Sequence, residues 1–302
     1  MCPIRRLVLG AACVVVLGGW VPASPSTNDA ACALGLARAA QFSSGVTLVE
    51  VYATASDAAG NPVPGLRQGD FEVREDGAVQ RISAFAAGDF PLSVALAIDR
   101  SWSMAGDRLP LAKQAARTFL GELRPTDRAM LIAVASDTEL MAPLSTDRGP
   151  ALRALAALQP WSTSALYDAV VNCLEMIQPA TGRRALVLLS DGEDRYSSRT
   201  AADALEKARQ TDVLVYPVGF GKRAPVFTEL AVQTGGRSFA VGDSKDLPKT
   251  FAAIARELRH QYLLGYVPAR PAVAGKPEWR SIEVRALKPG VKVRARPGYL
   301  AR

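Results

Sequence analysis

The strongest constraint on the fold is an almost unbroken apolar run at residues 92–98, Leu-Ser-Val-Ala-Leu-Ala-Ile. A strand with one face in water alternates apolar and polar residues, and this run does not. It is typical of a strand that is buried on both faces, as in a parallel sheet covered by helices. The chain therefore needs helices on both sides of this strand.

Helical and strand patterns alternate from this run to residue 259. Helical periodicity is seen at residues 109–123, 147–158, 166–177, 200–210, 225–233 and 247–259. Strand patterns lie between the helices at residues 128–135, 139–143, 185–190, 213–219 and 238–241. This alternation predicts βαβ units, and hence an α/β fold with a doubly wound, mostly parallel, Rossmann-like sheet over residues 90–259.

Two β-rich segments, residues 46–89 and 260–302, flank the α/β region. Strand patterns occur at residues 46–55, 71–74, 80–85, 262–267, 281–286 and 292–296. The dipeptide Asp76-Gly77 predicts a tight hairpin in the first segment. Three strands alone make a poor core, so we expect the two segments to pack together as a small β-sandwich.

The first 23 residues have the pattern of a secretory signal peptide. Arg5 and Arg6 precede an uncharged apolar run at residues 7–21, and a small-residue cleavage pattern follows. The run of about 15 residues is shorter than the roughly 20 that span a bilayer. We therefore expect cleavage, a linker at residues 24–45, and an exported periplasmic or secreted protein without a transmembrane segment. An uncleaved anchor, or a lipid on Cys13, are the alternatives.

The charge distribution gives no support for nucleic-acid binding. The formal net charge is +7, and loss of Arg5 and Arg6 with the leader lowers it to +5. Basic residues concentrate in the last 52 positions, but Lys292, Arg294 and Arg296 alternate with apolar residues. Such alternation is typical of one solvated strand face. Few aromatic residues are interleaved for base stacking.

Oxygen-bearing side chains follow or precede the predicted elements of the α/β region at three places. Asp99, Ser101 and Ser103 come directly after the buried strand, residues 162–164 (Ser-Thr-Ser) precede a helix, and Asp191 follows the strand at 185–190. Ligands of open α/β sheets bind at the carboxyl ends of the strands. Two carboxylates with hydroxyls and waters suit a hard divalent cation, magnesium before calcium.

These motifs resemble the von Willebrand factor type A domain and its metal-ion-dependent adhesion site. The matching stretches are Asp-x-Ser-x-Ser at 99–103, Ala-Leu-Tyr-Asp-Ala at 165–169 and Leu-Ser-Asp-Gly at 189–192. The flanks at 71–77 and 262–266 resemble exported bacterial proteins, common in acidobacteria, that carry this domain. The resemblance implies that Mg²⁺, or Mn²⁺ or Ca²⁺, is held by Asp99, Ser101, Ser103, Ser164 and Asp191. It further implies that an acidic side chain of a protein partner completes the coordination.

Two positions depart from the family pattern. Ser164 stands where the family usually has Thr, and since Thr163 is its neighbour, either hydroxyl is a candidate ligand. Trp102 stands between the two serines, where the family usually has Gly. A bulky ring there would narrow access or form a partner-binding anchor, since Trp is favoured at binding hot spots. Trp161, three residues before Ser164, is either a packed loop anchor or a second ring near the cation.

The residues favour a non-enzymatic binding protein. His260 is the only histidine, and it lies far in sequence from every serine loop. A Ser-His-Asp triad needs its base beside the nucleophile. The alternatives are a structural cell-envelope component with a degenerate metal site and, less favoured, a metal-dependent phosphatase or sulfatase using Ser101 or Ser103. Asp168 is interpreted as structural, at the first turn of a helix, and Asp194 as an outer or surface residue.

Overall fold

A six-stranded sheet covered by helices and two four-stranded antiparallel sheets make up the fold. The structure, a computed structural model, describes residues 48–88, 90–221, 224–273 and 275–302. These residues belong to one compact unit, Val46–Arg302. The predicted leader (1–23) and linker (24–45) lie outside them.

The strands are β1 Val49–Ser56, β2 Phe71–Glu75, β3 Ala78–Gln80, β4 Ile82–Ala87, β5 Leu92–Asp99, β6 Arg128–Val134, β7 Thr138–Ser145, β8 Arg183–Ser190, β9 Leu214–Phe220, β10 Phe239–Val241, β11 Tyr262–Tyr266, β12 Glu278–Ala286, β13 Lys292–Arg294 and β14 Gly298–Ala301. The α-helices are α1 Arg108–Glu122, α2 Gly149–Ala157, α3 Leu166–Ile177, α4 Ala201–Arg209, α5 Pro225–Thr234 and α6 Leu247–Arg259. Among the described residues, no helix combines the length and apolar character needed to cross a membrane.

The central sheet has the order β10-β9-β8-β5-β6-β7 and is parallel except for β7, which runs antiparallel to β6. Leu96 of β5 packs into a core with α1, α2 and α6, whereas Ala97 packs into a core with α3, α4 and α5 on the other face. The strand order reverses at β5, because the chain goes next to β6 on one side and later to β8 on the other. The predicted doubly wound, mostly parallel α/β fold is thus confirmed.

The flanking segments form two antiparallel sheets that share one core. Their orders are β13-β1-β11-β4 and β14-β12-β2-β3. In the first sheet β11 lies between β1 and β4, and in the second β12 lies between β14 and β2. The rings of Phe71 and Tyr262 pack across the two sheets with centroids 5.0 Å apart. Each sheet therefore contains strands from both flanks.

The prediction of a single strand at residues 80–85 is wrong. β3 ends at Gln80 and β4 begins at Ile82, and the two strands belong to different sheets. Gln80 and Ile82 are both buried while Arg81 is exposed. The period-two pattern therefore continues through the change of sheet, and sequence alone cannot show it. The hairpin at Asp76-Gly77 is confirmed, with φ of 47° and 81°.

The sequence pattern also missed β14. Its first residue, Gly298, follows Pro297, and the pair suggests a turn. In the structure Gly298 lies so close to β12 that an added Cβ would be 2.4 Å from the Arg280 carbonyl oxygen and 2.5 Å from the Trp279 ring. Gly298 is therefore needed for the close approach of β14 to β12.

The β-sandwich contacts the α/β layer at the amino ends of its strands. Arg183, the first residue of β8, is buried and donates hydrogen bonds to the Leu258 carbonyl and to Gln261 Oε1. Gln261 in turn donates to Thr54 Oγ1 of β1 at 3.2 Å and to Tyr216 Oη of β9 at 3.1 Å. The carboxyl ends of the parallel strands, where the predicted metal ligands lie, are at the opposite edge of the sheet.

Candidate metal centre

Three loops meet at the carboxyl edge of the central sheet. Loop 1 (residues 99–107) follows β5, loop 2 (158–165) precedes α3, and loop 3 (191–200) follows β8. Because β5 and β8 are neighbouring parallel strands, Asp99 and Asp191 lie at the same edge of the sheet, with Asp191 one residue beyond the position opposite Asp99. This edge is also where the strand order reverses, the place at which open α/β sheets bind ligands.

Asp99 is the centre of the arrangement and is fully buried. One carboxylate oxygen accepts the backbone N–H of Ser101 at 2.8 Å, and the other accepts the hydroxyls of Ser190 at 2.6 Å and Ser164 at 3.4 Å. Burial raises the pKa of Asp99, and the charge of Asp191 adds to this, whereas the hydrogen bonds from Ser101 and Ser190 lower it. The net shift is upward, because burial outweighs these hydrogen bonds.

The two serines of loop 1 lie side by side, with Ser101 Oγ and Ser103 Oγ 3.0 Å apart. A 3₁₀ turn, Trp102–Met104, produces this juxtaposition, because the N–H of Met104 bonds to the Ser101 carbonyl at 2.8 Å. Ser101 is buried and Ser103 is exposed. The hydroxyl pair therefore extends from the buried carboxylate towards solvent.

Loop 2 is joined to loop 1 through the backbone. The N–H of Trp161 bonds to the Arg100 carbonyl at 2.7 Å, and the N–H of Trp102 bonds to the Ser162 carbonyl at 2.9 Å. Ser162 holds a left-handed φ of 57°, which is unusual for a residue other than glycine. Ser164 is buried and contacts Asp99, so of the two candidate hydroxyls its own is the one beside the carboxylate.

Loop 3 contributes Asp191, and the last residue of β8 is Ser190, to which sequence reasoning assigned no role. The Ser190 hydroxyl donates to Asp99 and accepts the N–H of Gly192 at 3.2 Å, so it joins loop 3 to loop 1. Gly192 has a φ of +83°, and an added Cβ would lie 2.7 Å from the Ala224 Cβ. In the sequence, Ser190 is marked only by its position before Asp191. A serine at the end of a strand can have many roles, so this position alone does not predict the hydrogen bond to Asp99.

Two further carboxylates hold the loops in place. Asp194 Oδ1 accepts the backbone N–H of Leu166 at 2.7 Å and the Ser197 hydroxyl at 2.5 Å, so it caps the start of α3. It is therefore a capping residue, where the sequence suggested only an outer or surface role. Asp168 accepts the backbone N–H groups of Ser198 and Arg199, in line with the structural role predicted for it.

The donor set fits a hard divalent cation. All of the neighbouring donors are carboxylate or hydroxyl oxygens, which magnesium and calcium prefer. Among the described residues, no Lys or Arg forms an ion pair with Asp99 or Asp191. In the described part of the chain, no group of three or more His, Cys, Asp and Glu side chains is arranged so that it could hold a metal ion. A cation at this place would therefore depend on two carboxylates and on hydroxyls.

His260 lies at the other edge of the sheet. Its Nδ1 lies 2.7 Å from the Arg256 carbonyl oxygen, and the residue follows the end of α6, next to the amino end of β8. Ser190 ends the same strand, seven residues from Arg183, so the two edges are about 23 Å apart at about 3.3 Å per residue. The structure does not place this histidine beside the serines of the three loops.

The comparisons with known proteins agree with this geometry. A family model described as the von Willebrand factor type A domain matches residues 94–193. UPF0353 proteins of Mycobacterium leprae and Mycolicibacterium gilvum are each 25% identical over 209 residues, or 57% of this chain and 62% of their own. The chain thus spans less than two thirds of these relatives.

A solved von Willebrand factor type A structure from Catenulispora acidiphila shares the fold. It aligns with 86% of this chain and 75% of its own at 14% identity, with a TM-score of 0.52. The strand order, the three loops at the carboxyl edge and the matched residues 94–193 lead to one conclusion. Residues 94–193 match the von Willebrand factor type A domain, and the α/β part of this chain as a whole has the fold of that domain.

Proposed function

We propose that this protein is an exported, non-enzymatic binding protein that holds a divalent cation at Asp99, Ser101, Ser103, Ser164 and Asp191 and recognises a protein partner through it. The domain by itself supports a general protein-interaction or adhesion role. Magnesium is the first candidate, before manganese and calcium, because the donors are few, hard and partly hydroxyl. The cation supplies a positive centre to which an acidic side chain of the partner binds.

One observation carries the proposal: the Asp99 carboxylate is buried where three loops meet, is influenced by the charge of Asp191, and forms no ion pair among the described residues. Burying an ionised carboxylate without an opposite charge is costly, and such groups are normally paired or coordinate a metal. The hydroxyls of Ser101 and Ser103 extend the donor set towards solvent. A partner's carboxylate could therefore reach a cation held there.

The enzymatic alternatives have less support. A hydrolase that used Ser101 or Ser103 as nucleophile would need a general base within hydrogen-bond reach. His260 lies at the opposite edge of the sheet, and Asp99 already accepts hydrogen bonds from Ser101, Ser164 and Ser190. A degenerate site in a structural envelope component differs from our proposal in one measurable property, the affinity for metal.

Isothermal titration calorimetry of residues 24–302 with MgCl₂ and MnCl₂ tests the proposal. We expect one binding site in the wild type and none in Asp99→Ala, because this substitution removes the carboxylate that accepts hydrogen bonds from Ser101 of loop 1, Ser164 of loop 2 and Ser190 at the end of β8. Circular dichroism should show that the variant remains folded. Export is tested separately by N-terminal sequencing of the secreted or periplasmic protein, which should begin near Ser24; a start at Met1 would indicate an uncleaved anchor.

Asp107→Ala is the matched control. Asp107 lies in the same loop, is exposed and makes no side-chain capping bond to α1. It should bind metal as the wild type does. Equal metal affinities in the wild type and Asp99→Ala would contradict the metal site and favour the structural alternative. A loss of metal affinity in Asp107→Ala as large as in Asp99→Ala would indicate that the cation is attracted by the overall charge of the loop.

A further inference from the structure

Each of the three metal-site loops carries one large exposed aromatic side chain. Trp102 of loop 1 is 63% exposed, Trp161 of loop 2 is 55% exposed, and Tyr196 of loop 3 is 66% exposed. Aromatic rings that are this exposed contribute little buried apolar surface to the stability of the fold. We call these three residues the aromatic rim.

The backbone fixes each rim residue next to a candidate ligand. Trp102 lies between Ser101 and Ser103. The N–H of Tyr196 bonds to the carbonyl of Ser164 at 3.1 Å, and the N–H groups of Trp102 and Trp161 join loops 1 and 2. Loop 2 is thus the common attachment of all three rings. The backbones of the three rim residues are therefore held together around the metal centre.

We propose that the aromatic rim is a second recognition element, which binds proline or aromatic side chains on either side of the acidic residue of the partner. The inference rests on the proposed function, because the carboxylate must bind at the cation for its neighbours to reach the rim. Exposed Trp and Tyr rings stack on flat side chains, and proline-containing segments dock on aromatic surfaces with little loss of conformational entropy.

The charges beside the rim favour a segment with a single carboxylate. The three arginines of these loops are already paired: Arg100 with Glu139 at 3.0 Å, Arg195 with Glu193 at 2.5 Å and Arg199 with Asp168 at 3.1 Å. Asp99 and Asp191 would balance the two charges of a divalent cation. The loaded surface thus has little excess charge for further acidic residues. We expect binding that requires metal but depends only weakly on ionic strength, since long-range attraction is small.

The size of the rim indicates a short segment and not a second copy of the chain. An aromatic side chain buries about 150–250 Å². With more than half of each ring exposed, the rim offers on the order of 300 Å² of apolar surface. A stable protein–protein interface buries about 800 Å² on each partner. A loop or tail of a partner, held mainly at the cation, matches this area better than a large docked surface.

Selection from a phage-displayed library of random nine-residue peptides tests the inference. The mature protein is immobilised in Mg²⁺, and bound phage are eluted with EDTA. We expect peptides with one Asp or Glu and with Pro, Trp, Tyr or Phe within three positions of it. A selected peptide should bind the triple variant Trp102→Ala, Trp161→Ala, Tyr196→Ala about 30-fold more weakly or worse, the loss typical of a binding hot spot.

The control replaces three equally exposed apolar residues of the β-sandwich, in the triple variant Val79→Ala, Val273→Ala, Leu287→Ala. Its peptide affinity should equal that of the wild type, and both triple variants should keep the wild-type affinity for Mg²⁺. A Trp279→Phe background removes the indole of β12, so a shift in tryptophan emission on peptide binding then reports on Trp102 and Trp161 alone.

The outcomes separate this inference from the proposed function. Acidic peptides with no preference for their neighbours, bound equally by the rim variant, would overturn the rim and leave the metal-dependent function intact. A wild type that binds Mg²⁺ but selects no acidic peptide would overturn recognition of a protein carboxylate, and the rim proposal with it. Metal- and rim-dependent binding of polygalacturonate in place of peptides would overturn the protein segment in favour of an acidic sugar.

Discussion

At the scale of single residues, the hydroxyl of Ser190 orients the carboxylate of Asp99. It donates a 2.6 Å hydrogen bond to Asp99 and so orients the carboxylate that we propose as a metal ligand. Groups that orient metal ligands usually change metal affinity by 10- to 100-fold when they are lost. We therefore predict that Ser190→Ala weakens Mg²⁺ binding by about 10- to 100-fold, as measured by calorimetry.

Ser83→Ala is a suitable control for this prediction. Ser83 also donates one hydroxyl hydrogen bond, to the Gly265 carbonyl at 3.3 Å, but it lies in β4 of the sandwich. Its substitution should leave the metal affinity unchanged. An unchanged affinity in Ser190→Ala would show that Asp99 is held well enough without this bond.

Asp168 makes stability depend on pH on the acid side. Burial acts to raise its pKa, but hydrogen bonds from Ser198 and Arg199 outweigh that effect and lower the pKa below the ordinary value of 3.8. A carboxyl group whose pKa falls on folding stabilises the folded state above its ordinary pKa. That contribution is lost as the pH falls through the lowered pKa.

We therefore predict that Asp168→Asn lowers the thermal midpoint at pH 6 and that the difference from the wild type shrinks below about pH 3. Scanning calorimetry in the absence of metal, from pH 2 to pH 7, measures this difference. A gap between the two proteins that is as large at pH 2.5 as at pH 6 would assign the effect to lost packing and not to the ionised carboxylate.

Sequence reasoning reached the residues of the candidate site to different degrees. The proximity of Asp99, Ser101 and Ser103 could be predicted, because all three lie within five positions of the chain at the end of one strand. The duties of Ser190 and Asp194 could not, since their partners, Asp99 and Leu166, are 91 and 28 positions away in the chain. A contact between residues that are far apart in the chain cannot be predicted from their spacing in the sequence.

At the scale of elements, α3 depends on a cap supplied by another loop. Its preceding residue, Ala165, has no side chain that can cap, and Asp194 of loop 3 accepts the N–H groups of Leu166 and Tyr167 instead. A carboxylate at a helix N-terminus satisfies free N–H groups and interacts favourably with the helix dipole. The conformation of loop 3 and the stability of the first turn of α3 are thus coupled.

We predict that Asp194→Ala lowers the free energy of unfolding by about 1–2 kcal/mol, the range for loss of an N-terminal cap. Urea unfolding in EDTA measures it, and the loss should persist in Mg²⁺. Asp191→Ala is the contrast: it should cost little in EDTA and should remove the stabilisation that Mg²⁺ gives the wild type. If Asp194→Ala were as stable as the wild type, water would be an adequate cap for α3.

The strand patterns show where sequence reasoning ends at this scale. The buried strand β5 and the helices were predictable because their periodicity reflects burial on known faces. The division between β3 and β4 was not, since Arg81 keeps the alternation while the chain passes from one sheet to the other. Periodicity records which side of a strand is buried but not against which sheet.

At the scale of the whole molecule, the C-terminal flank supplies one of the two inner strands of each sandwich sheet. β11 lies between β1 and β4, and β12 lies between β14 and β2. We predict that removal of residues 260–302 makes residues 46–89 sensitive to protease, because β1, β2 and β4 lose the strands on which they pack. Limited proteolysis followed by mass spectrometry identifies the cleavage sites.

A shorter truncation, after Pro297, removes only the edge strand β14 and serves as the comparison. Residues 46–89 should keep most of their protection in it, because β11 and β12 remain. Equal protection in both truncated proteins would mean that the first flank is stable without the second.

The pairing of β4 with β11 has a topological consequence. Ala87 at the end of β4 faces Tyr262 at the start of β11, and the whole α/β domain is the connection between these two neighbouring strands. Paired residues of adjacent antiparallel strands have Cα atoms about 5 Å apart. In terms of architecture, the α/β domain is thus inserted into a hairpin of the sandwich, and the recognition that we propose for it would be separable from the scaffold. A different domain whose ends lie equally close could occupy the same hairpin, so the specificity could be exchanged while the scaffold is kept.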